Sequence, residues 1–165
     1  MFSVDHYLHS IKVNLESQSD VLAGSLKKIL ARPFSTEVDL VDFSAFIEPT
    51  RFELSITLFS MDNDANEVFN DGNDTSTFAG SEEILSDIQY YQIADKQLDE
   101  FFQFYEHNED VLVPGEQRII AEWFSDNWKK ANGDLFNLPA YFTFHDDRSF
   151  DLRNNQWTND EEKWS

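Results

Sequence analysis

Residues 52–58 have the sequence FELSITL, in which apolar and polar side chains alternate. A period of two places alternate side chains on opposite faces, so the pattern predicts a strand with one buried face. Residues 38–47 form an earlier β-rich segment, and Pro49 and Thr50 separate the two. Such a short connection predicts that the two strands pair as a hairpin.

Helical patterns precede this hairpin. Residues 7–15 fit a helix and a strand equally well, and we expect a helix. Residues 19–32 begin with Ser19 and Asp20, either of which can cap a helix, and carry basic side chains near the carboxyl end. This combination predicts a second helix that ends at Pro33.

Two further helices are predicted in the second half of the chain. Asp95 can cap the first, whose apolar face lies within residues 98–105. Pro114 is expected to open the second, and Gly133 to close it after a wide apolar stripe. The stripe consists of Ile119, Ile120, Trp123, Phe124 and Trp128.

The remaining segments are shorter. A turn at residues 61–66, a short strand at 67–70 and a second turn at 71–74 are predicted from the local composition. Residues 81–93 combine a possible helix start with strand-like alternation, and the boundary stays open. Residues 140–152 predict a final hairpin.

The chain of 165 residues has the length of one domain, and sixteen Phe and four Trp supply a substantial core. We therefore predict a single α+β domain over residues 1–157, with a mainly antiparallel sheet and helices packed on one face. Residues 158–165 are polar and are expected to be a frayed acidic tail. The amino terminus shows no secretion signal, so a cytoplasmic protein is expected, without a membrane partner.

The net charge of −20 is concentrated in one part of the chain. Residues 62–116 carry fifteen acidic side chains and one basic one, Lys96, whereas residues 1–33 are close to neutral. A net charge of roughly 2 to 8 in magnitude is ample for a small soluble domain. The surplus indicates a strongly basic partner, with mere solubility as the alternative explanation.

One stretch resembles a calcium-binding loop. Asp62, Asp64 and Asn66 match its first three ligand positions, but Glu67 replaces the required glycine and Asn73 replaces the final glutamate. We therefore expect no tight calcium binding, no metal site and no cofactor. A loose, low-affinity cation site remains an alternative, formed by Asp62, Asp64, Glu67, Asp71 and Asp74.

Catalytic patterns are sparse. A cluster of His145, Asp146 and Asp147 would suit a metal-dependent or acid/base enzyme, although a simple turn also explains Asp146 and Asp147. The chain has no cysteine, no phosphate-binding glycine loop and no nucleophile motif, so no catalytic residue is assigned. Twelve basic against thirty-two acidic side chains argue against direct nucleic-acid binding.

A family resemblance rests on the order of residues 52–59, MDNDANEVF at 61–69, the helix at 119–131 and LPAYFTFHDD at 138–147. This order resembles the small cytoplasmic immunity proteins of bacterial polymorphic and contact-dependent toxin systems. The resemblance covers roughly residues 50–152. It implies a non-catalytic inhibitor that binds a cognate toxin, often a nuclease, and blocks its active site.

The sequence therefore favours an immunity or inhibitor module that binds a basic protein through an acidic face. The first alternative is the enzyme with the histidine cluster. The second is a regulatory or structural interaction domain that uses exposed aromatic residues, namely Tyr90, Tyr91 or Trp157. The oligomeric state is left open. The expected partner-binding residues are Asp62, Asp64, Glu67, Asp71, Asp74, Glu82 and Glu83.

Overall fold

The structure, a computed structural model, describes residues 1–69, 76–145 and 148–164. It confirms the predicted single α+β domain. The described strands form one six-stranded sheet in the order β3-β2-β1-β4-β5-β6. The strands are β1 (Leu40–Glu48), β2 (Glu53–Met61), β3 (Ser81–Gln89), β4 (Ala140–Phe144), β5 (Ser149–Asp151) and β6 (Gln156–Thr158). Every neighbouring pair is antiparallel except β1 and β4, which run parallel.

The predicted first hairpin is present. Strand β1 (Leu40–Glu48) pairs antiparallel with β2 (Glu53–Met61), and Glu48 lies opposite Glu53 across the turn. Alternate side chains of β2 are buried, as the period of two predicts. Residues 81–93, which the sequence left open, contain β3 (Ser81–Gln89), and this strand pairs with β2 along its length.

The final hairpin completes the other side of the sheet. Strand β4 (Ala140–Phe144) pairs with β5 (Ser149–Asp151), as predicted, and β5 pairs with β6 (Gln156–Thr158). The parallel pairing of β4 with β1 was not predicted. Its two strands are joined by a long connection that includes the helix α3 (Leu98–Lys130), as parallel pairs require.

The helices α1 (Val4–Glu16) and α2 (Ser19–Leu30) lie where the sequence predicts them. The expected cap of α2 is absent, because Gln18 occupies that position without a side-chain hydrogen bond. The Ser19 hydroxyl instead accepts a hydrogen bond from the Trp123 indole N–H at 3.0 Å. Ser19 therefore ties α2 to α3.

The two helices predicted between residues 95 and 131 are one continuous helix, α3 (Leu98–Lys130), preceded by a short 3₁₀ turn, Asp95–Gln97. The prediction that Pro114 opens a new helix was wrong. Pro114 sits inside α3, where its ring removes one backbone hydrogen bond without ending the helix. Buried side chains on both sides of Pro114 hold the helix together against the sheet and α1.

The end of α3 also differs from the prediction. The left-handed residue after the helix is Asn132, with φ of 67°, and not Gly133. Gly133 is required for a different reason, because a Cβ atom there would lie 2.3 Å from the Trp128 indole. Trp123 and Phe124 are buried, as the stripe predicts, and the Phe124 ring packs on Phe142.

The tail predicted to be frayed is folded over its described part, residues 158–164. Residues 156–158 form β6, and α4 (Asp160–Trp164) follows it. Lys163 of α4 is only 5% exposed and forms an ion pair with Asp42 of β1. The register places Asp42 on the face of the sheet opposite to Phe43, so α4 covers the side that the long helices leave open.

Replacing Pro114 by alanine is expected to raise the free energy of unfolding by about 1–3 kcal/mol, because the change restores a backbone hydrogen bond inside α3. Urea denaturation measures the change. Val111→Ala, at another exposed site of the same helix, is the control and restores no hydrogen bond. If Pro114→Ala and the wild-type protein were equally stable, the restored N–H group would not stabilise the helix.

Candidate functional site

Carboxylates from three chain segments lie along the second half of β2 and in the turn that follows it. The backbone folds back after Met61, so that Val68 N–H donates to Ser60 and Gly80 N–H donates to Val68. Ser81 lies opposite Phe59, and Asn63 N–H donates to the Asp39 side chain at 2.9 Å. We call this region the acidic corner; its members are Asp39, Asp62, Asp64, Glu67, Glu82 and Glu83.

The turn in the acidic corner is held by one of its own carboxylates. Asp62 Oδ1 accepts hydrogen bonds from the backbone N–H groups of Asp64 and Asn66, both at 2.9 Å. Asp62 therefore shapes the loop, whereas the Asp64 side chain is exposed. The predicted strand at residues 67–70 is reduced to a single bridge between Met61 and Glu67 within the described residues.

Glu82 and Glu83 are neighbours in β3 but differ in their surroundings. Arg32 Nη2 of α2 lies 2.7 Å from Glu82 Oε1, and the Arg32 guanidinium also stacks on Phe78 at 4.5 Å. The charge of Glu82 is therefore largely compensated. Glu83 is exposed and lies opposite Thr57, so it contributes its charge to the surface.

Glu67 and Phe69 add two further features to this end of the molecule. Glu67 is half-buried, and its Oε1 atom has no hydrogen-bond partner in the described part of the chain. Phe69 is 68% exposed. Asp71 and Asp74, which were expected to belong to the same face, lie outside the described residues.

The acidic segment does not form one continuous face. Its second half lies on α3, which begins near the opposite end of β2, since the Phe101 and Phe52 rings are 5.3 Å apart. A nine-residue strand spans roughly 30 Å, so the turn that follows β2 lies about that far from the start of the strand, while Glu83, opposite Thr57, lies about halfway along it. The exposed acidic residues that this segment contributes to α3 are Asp99, Glu100, Glu106, Glu109 and Asp110.

The two alternative functions rest on the histidine cluster and on exposed aromatic residues. His145 is exposed, with its ring 5.3 Å from Phe46, while Asp146 and Asp147 lie outside the described residues. Within residues 1–69, 76–145 and 148–164, no group of three or more possible metal ligands comes together. The proposed exposed aromatic patch was wrong for Tyr90 and Tyr91, which are 2% and 5% exposed.

A buried carboxylate forms a second site, which the sequence analysis missed. Glu116 of α3 is 7% exposed, and both of its oxygens accept hydrogen bonds from tyrosine hydroxyls. Tyr7 of α1 donates to Oε2 at 2.7 Å, and Tyr105 donates to Oε1 at 2.5 Å. The available signal was an acidic residue placed between Leu112 and Ile120 on the buried side of the helix.

Burial controls the ionisation of this cluster. It raises the pKa of Glu116, although the two tyrosine hydrogen bonds favour the charged form and oppose the shift. Burial, followed by the nearby Glu116 charge, also raises the pKa of Tyr7 and of Tyr105. Both phenols therefore stay protonated at neutral pH and remain hydrogen-bond donors.

A second buried polar cluster lies on the opposite face of the sheet. Besides its ion pair with Asp42, the Lys163 ammonium donates to the Thr143 hydroxyl at 3.2 Å and to the Ser149 hydroxyl at 3.4 Å. Thr143 also donates to Asp42 at 2.6 Å. The three donors of Lys163 are engaged by Asp42, Thr143 and Ser149, so this cluster attaches α4 to the sheet.

Comparisons with family models, with curated proteins and with solved structures found no match to this chain. Among the described residues, no helix has both the length and the apolar character that crossing a membrane requires.

Proposed function

We propose that this chain is a non-catalytic protein-binding module of the immunity or inhibitor type, whose acidic corner binds a basic partner such as a nuclease toxin. One observation carries the proposal: carboxylates that are distant in sequence lie together along the second half of β2 and the turn after it, and among the described residues Arg32 pairs with one of them, Glu82. Such a surface attracts a basic protein and orients it during approach.

The loop geometry supports a binding role. Asp62 fixes the turn through two backbone hydrogen bonds, so the exposed Asp64 is held on a defined backbone. A preformed surface loses little conformational entropy on binding. Phe69, 68% exposed close by, provides an aromatic side chain of the kind that is enriched at protein interfaces.

A nuclease is a suitable partner class on chemical grounds. An enzyme that binds nucleic acid has a groove of basic side chains that neutralise phosphates. Carboxylates held at fixed positions present negative oxygens to such a groove and compete with the phosphate backbone. The resemblance to immunity proteins described above implies the same partner class.

Neutralising three carboxylates of the acidic corner is expected to slow association with the partner about tenfold at low salt, because electrostatic steering is lost. The test variant combines Asp64→Asn, Glu67→Gln and Glu83→Gln. Asp62 is kept because it shapes the loop. The candidate partner is the protein encoded by the neighbouring gene, and stopped-flow fluorescence at low and physiological salt gives the association rates.

A matched control removes the same charge elsewhere. It combines Glu100→Gln, Glu106→Gln and Asp110→Asn, all exposed on α3. The proposal requires the corner variant to bind more slowly than this control and to show a weaker salt dependence. Equal rates for the two variants would assign the effect to net charge. Undiminished nuclease activity in the complex would refute the inhibitor role.

A further inference from the structure

A cavity of about 330 Å³ lies between α1, the turn that joins β1 to β2, and α3. This volume is at the lower end of the range for small-ligand pockets. The cavity is lined by Glu116 and by aromatic side chains from four parts of the chain. The aromatic set consists of Tyr7, Phe52, Tyr90, Phe101, Phe102 and Tyr105.

The carboxylate in this cavity has no cationic partner among the described residues. Its two hydrogen bonds come from neutral phenols of Tyr7 and Tyr105. An ionised carboxylate can accept about four hydrogen bonds, so each oxygen of Glu116 retains acceptor capacity. Ionising a buried carboxylate without a counter-ion is costly, which is why burial raises the pKa of Glu116, and a cation bound beside it would stabilise the charged form.

We infer that this cavity binds an organic cation, namely an ammonium group carried on an apolar or aromatic stem. Three features of the site match this ligand. Glu116 provides the counter-charge, the surrounding rings attract a cation through their π faces, and the apolar wall covers the stem. Inorganic metal ions are a poorer fit, because they need several oxygen ligands and the wall offers mainly rings.

The ammonium group has two possible sources. It belongs either to a small free amine or to a lysine side chain of a protein, since both present the same terminal atoms. Either ligand must enter through the opening of the cavity, whose edge we call the rim. Phe102 is 38% exposed and Pro49 and Thr50 are exposed, so the cavity opens to solvent between α3 and the β1–β2 turn.

A purely structural role is the competing explanation. The hydrogen bonds from Tyr7 and Tyr105 join α1 to α3 through Glu116, and this connection alone would stabilise the fold. A connection of this kind predicts no preference between a cation and a neutral molecule of the same shape. The preference of the cavity for a cation therefore separates the two explanations.

The experiment measures binding of benzylammonium and of benzyl alcohol, its neutral analogue, by calorimetry and by NMR signals of the tyrosine rings. We expect benzylammonium to bind the wild-type protein at least about tenfold more tightly, because only the cation pairs with Glu116 and the rings. Glu116→Gln keeps the shape and should abolish this preference. Glu106→Gln, exposed on the same helix, is the charge-matched control and should retain it.

Equal affinity for the cation and the alcohol in the wild-type protein would overturn the proposal, as would a preference that survives in Glu116→Gln. If Glu116→Gln fails to fold, Phe102→Ala at the rim replaces it and should weaken binding of benzylammonium several-fold. Unchanged binding in that variant would also count against the site. A short peptide with a single lysine distinguishes the sources, because it competes with benzylammonium only if a protein side chain can enter.

Discussion

Replacing Phe124 by alanine is expected to lower the free energy of unfolding by about 3–5 kcal/mol. The side chain is 0% exposed, and its ring centroid lies 4.4 Å from that of Phe142 and 5.0 Å from that of Phe43. Those rings belong to β4 and β1, so the change leaves a cavity where α3 meets both partners of the parallel pair. Urea denaturation followed by circular dichroism measures the loss.

The control for this prediction is Phe69→Ala. Phe69 is 68% exposed, so removing its ring should change stability by no more than about 0.5 kcal/mol. The comparison separates the loss of packing from the loss of an aromatic side chain as such. A Phe124→Ala protein that unfolds at the same urea concentration as Phe69→Ala would place Phe124 outside the core.

Replacing Lys163 by methionine is expected to lower the free energy of unfolding by about 3–5 kcal/mol, although the residue lies one position before the last described residue, Trp164. The change leaves the Asp42 carboxylate, 8% exposed, without its cation. An uncompensated buried charge is the main cost. Thermal and urea denaturation measure the effect, and the α4 region should lose protection from hydrogen exchange.

Two further variants test whether the stability lost in Lys163→Met comes from the unpaired Asp42 charge. Lys129→Met, on the exposed side of α3, removes the same charge and should be nearly neutral. Adding Asp42→Asn to Lys163→Met should restore part of the stability, because the unpaired charge is removed. A Lys163→Met protein as stable as Lys129→Met would show that α4 does not contribute to the fold.

Much of the sheet could be predicted because its signals are local. The alternation at residues 52–58 is a property of one strand, and the short connection at Pro49 and Thr50 determines its antiparallel partner. The pairing of β1 with β4 has no local signal, since the two strands are separated by about 100 residues. Neither the strand order nor the parallel direction followed from the pattern.

The errors in the helices have a common cause, which is tertiary packing. Pro114 is a helix-ending signal in isolation, yet packing on both sides of it maintains α3. The polar composition of residues 158–165 predicts fraying, but Lys163 is fixed by Asp42, a residue from β1. In both cases the deciding contact comes from a distant part of the chain.

The candidate sites were only partly accessible to sequence reasoning. The charge pattern identified the acidic residues, but it could not show that Asp62 is used within its own turn or that Arg32 compensates Glu82. The cavity around Glu116 requires Tyr7 and Tyr105 to meet across two helices. An acid within an apolar helical face is the one local feature that indicates such a site.

The parallel pairing of β1 with β4 has a consequence for synthesis on the ribosome. The first three strands can pair with one another as soon as they emerge, but the free edge of β1 has no partner until β4 has been translated. At about 5–20 residues per second, the intervening chain takes roughly 5–20 seconds to make. During that interval the nascent protein exposes an unpaired strand edge, which makes early binding by a chaperone advantageous.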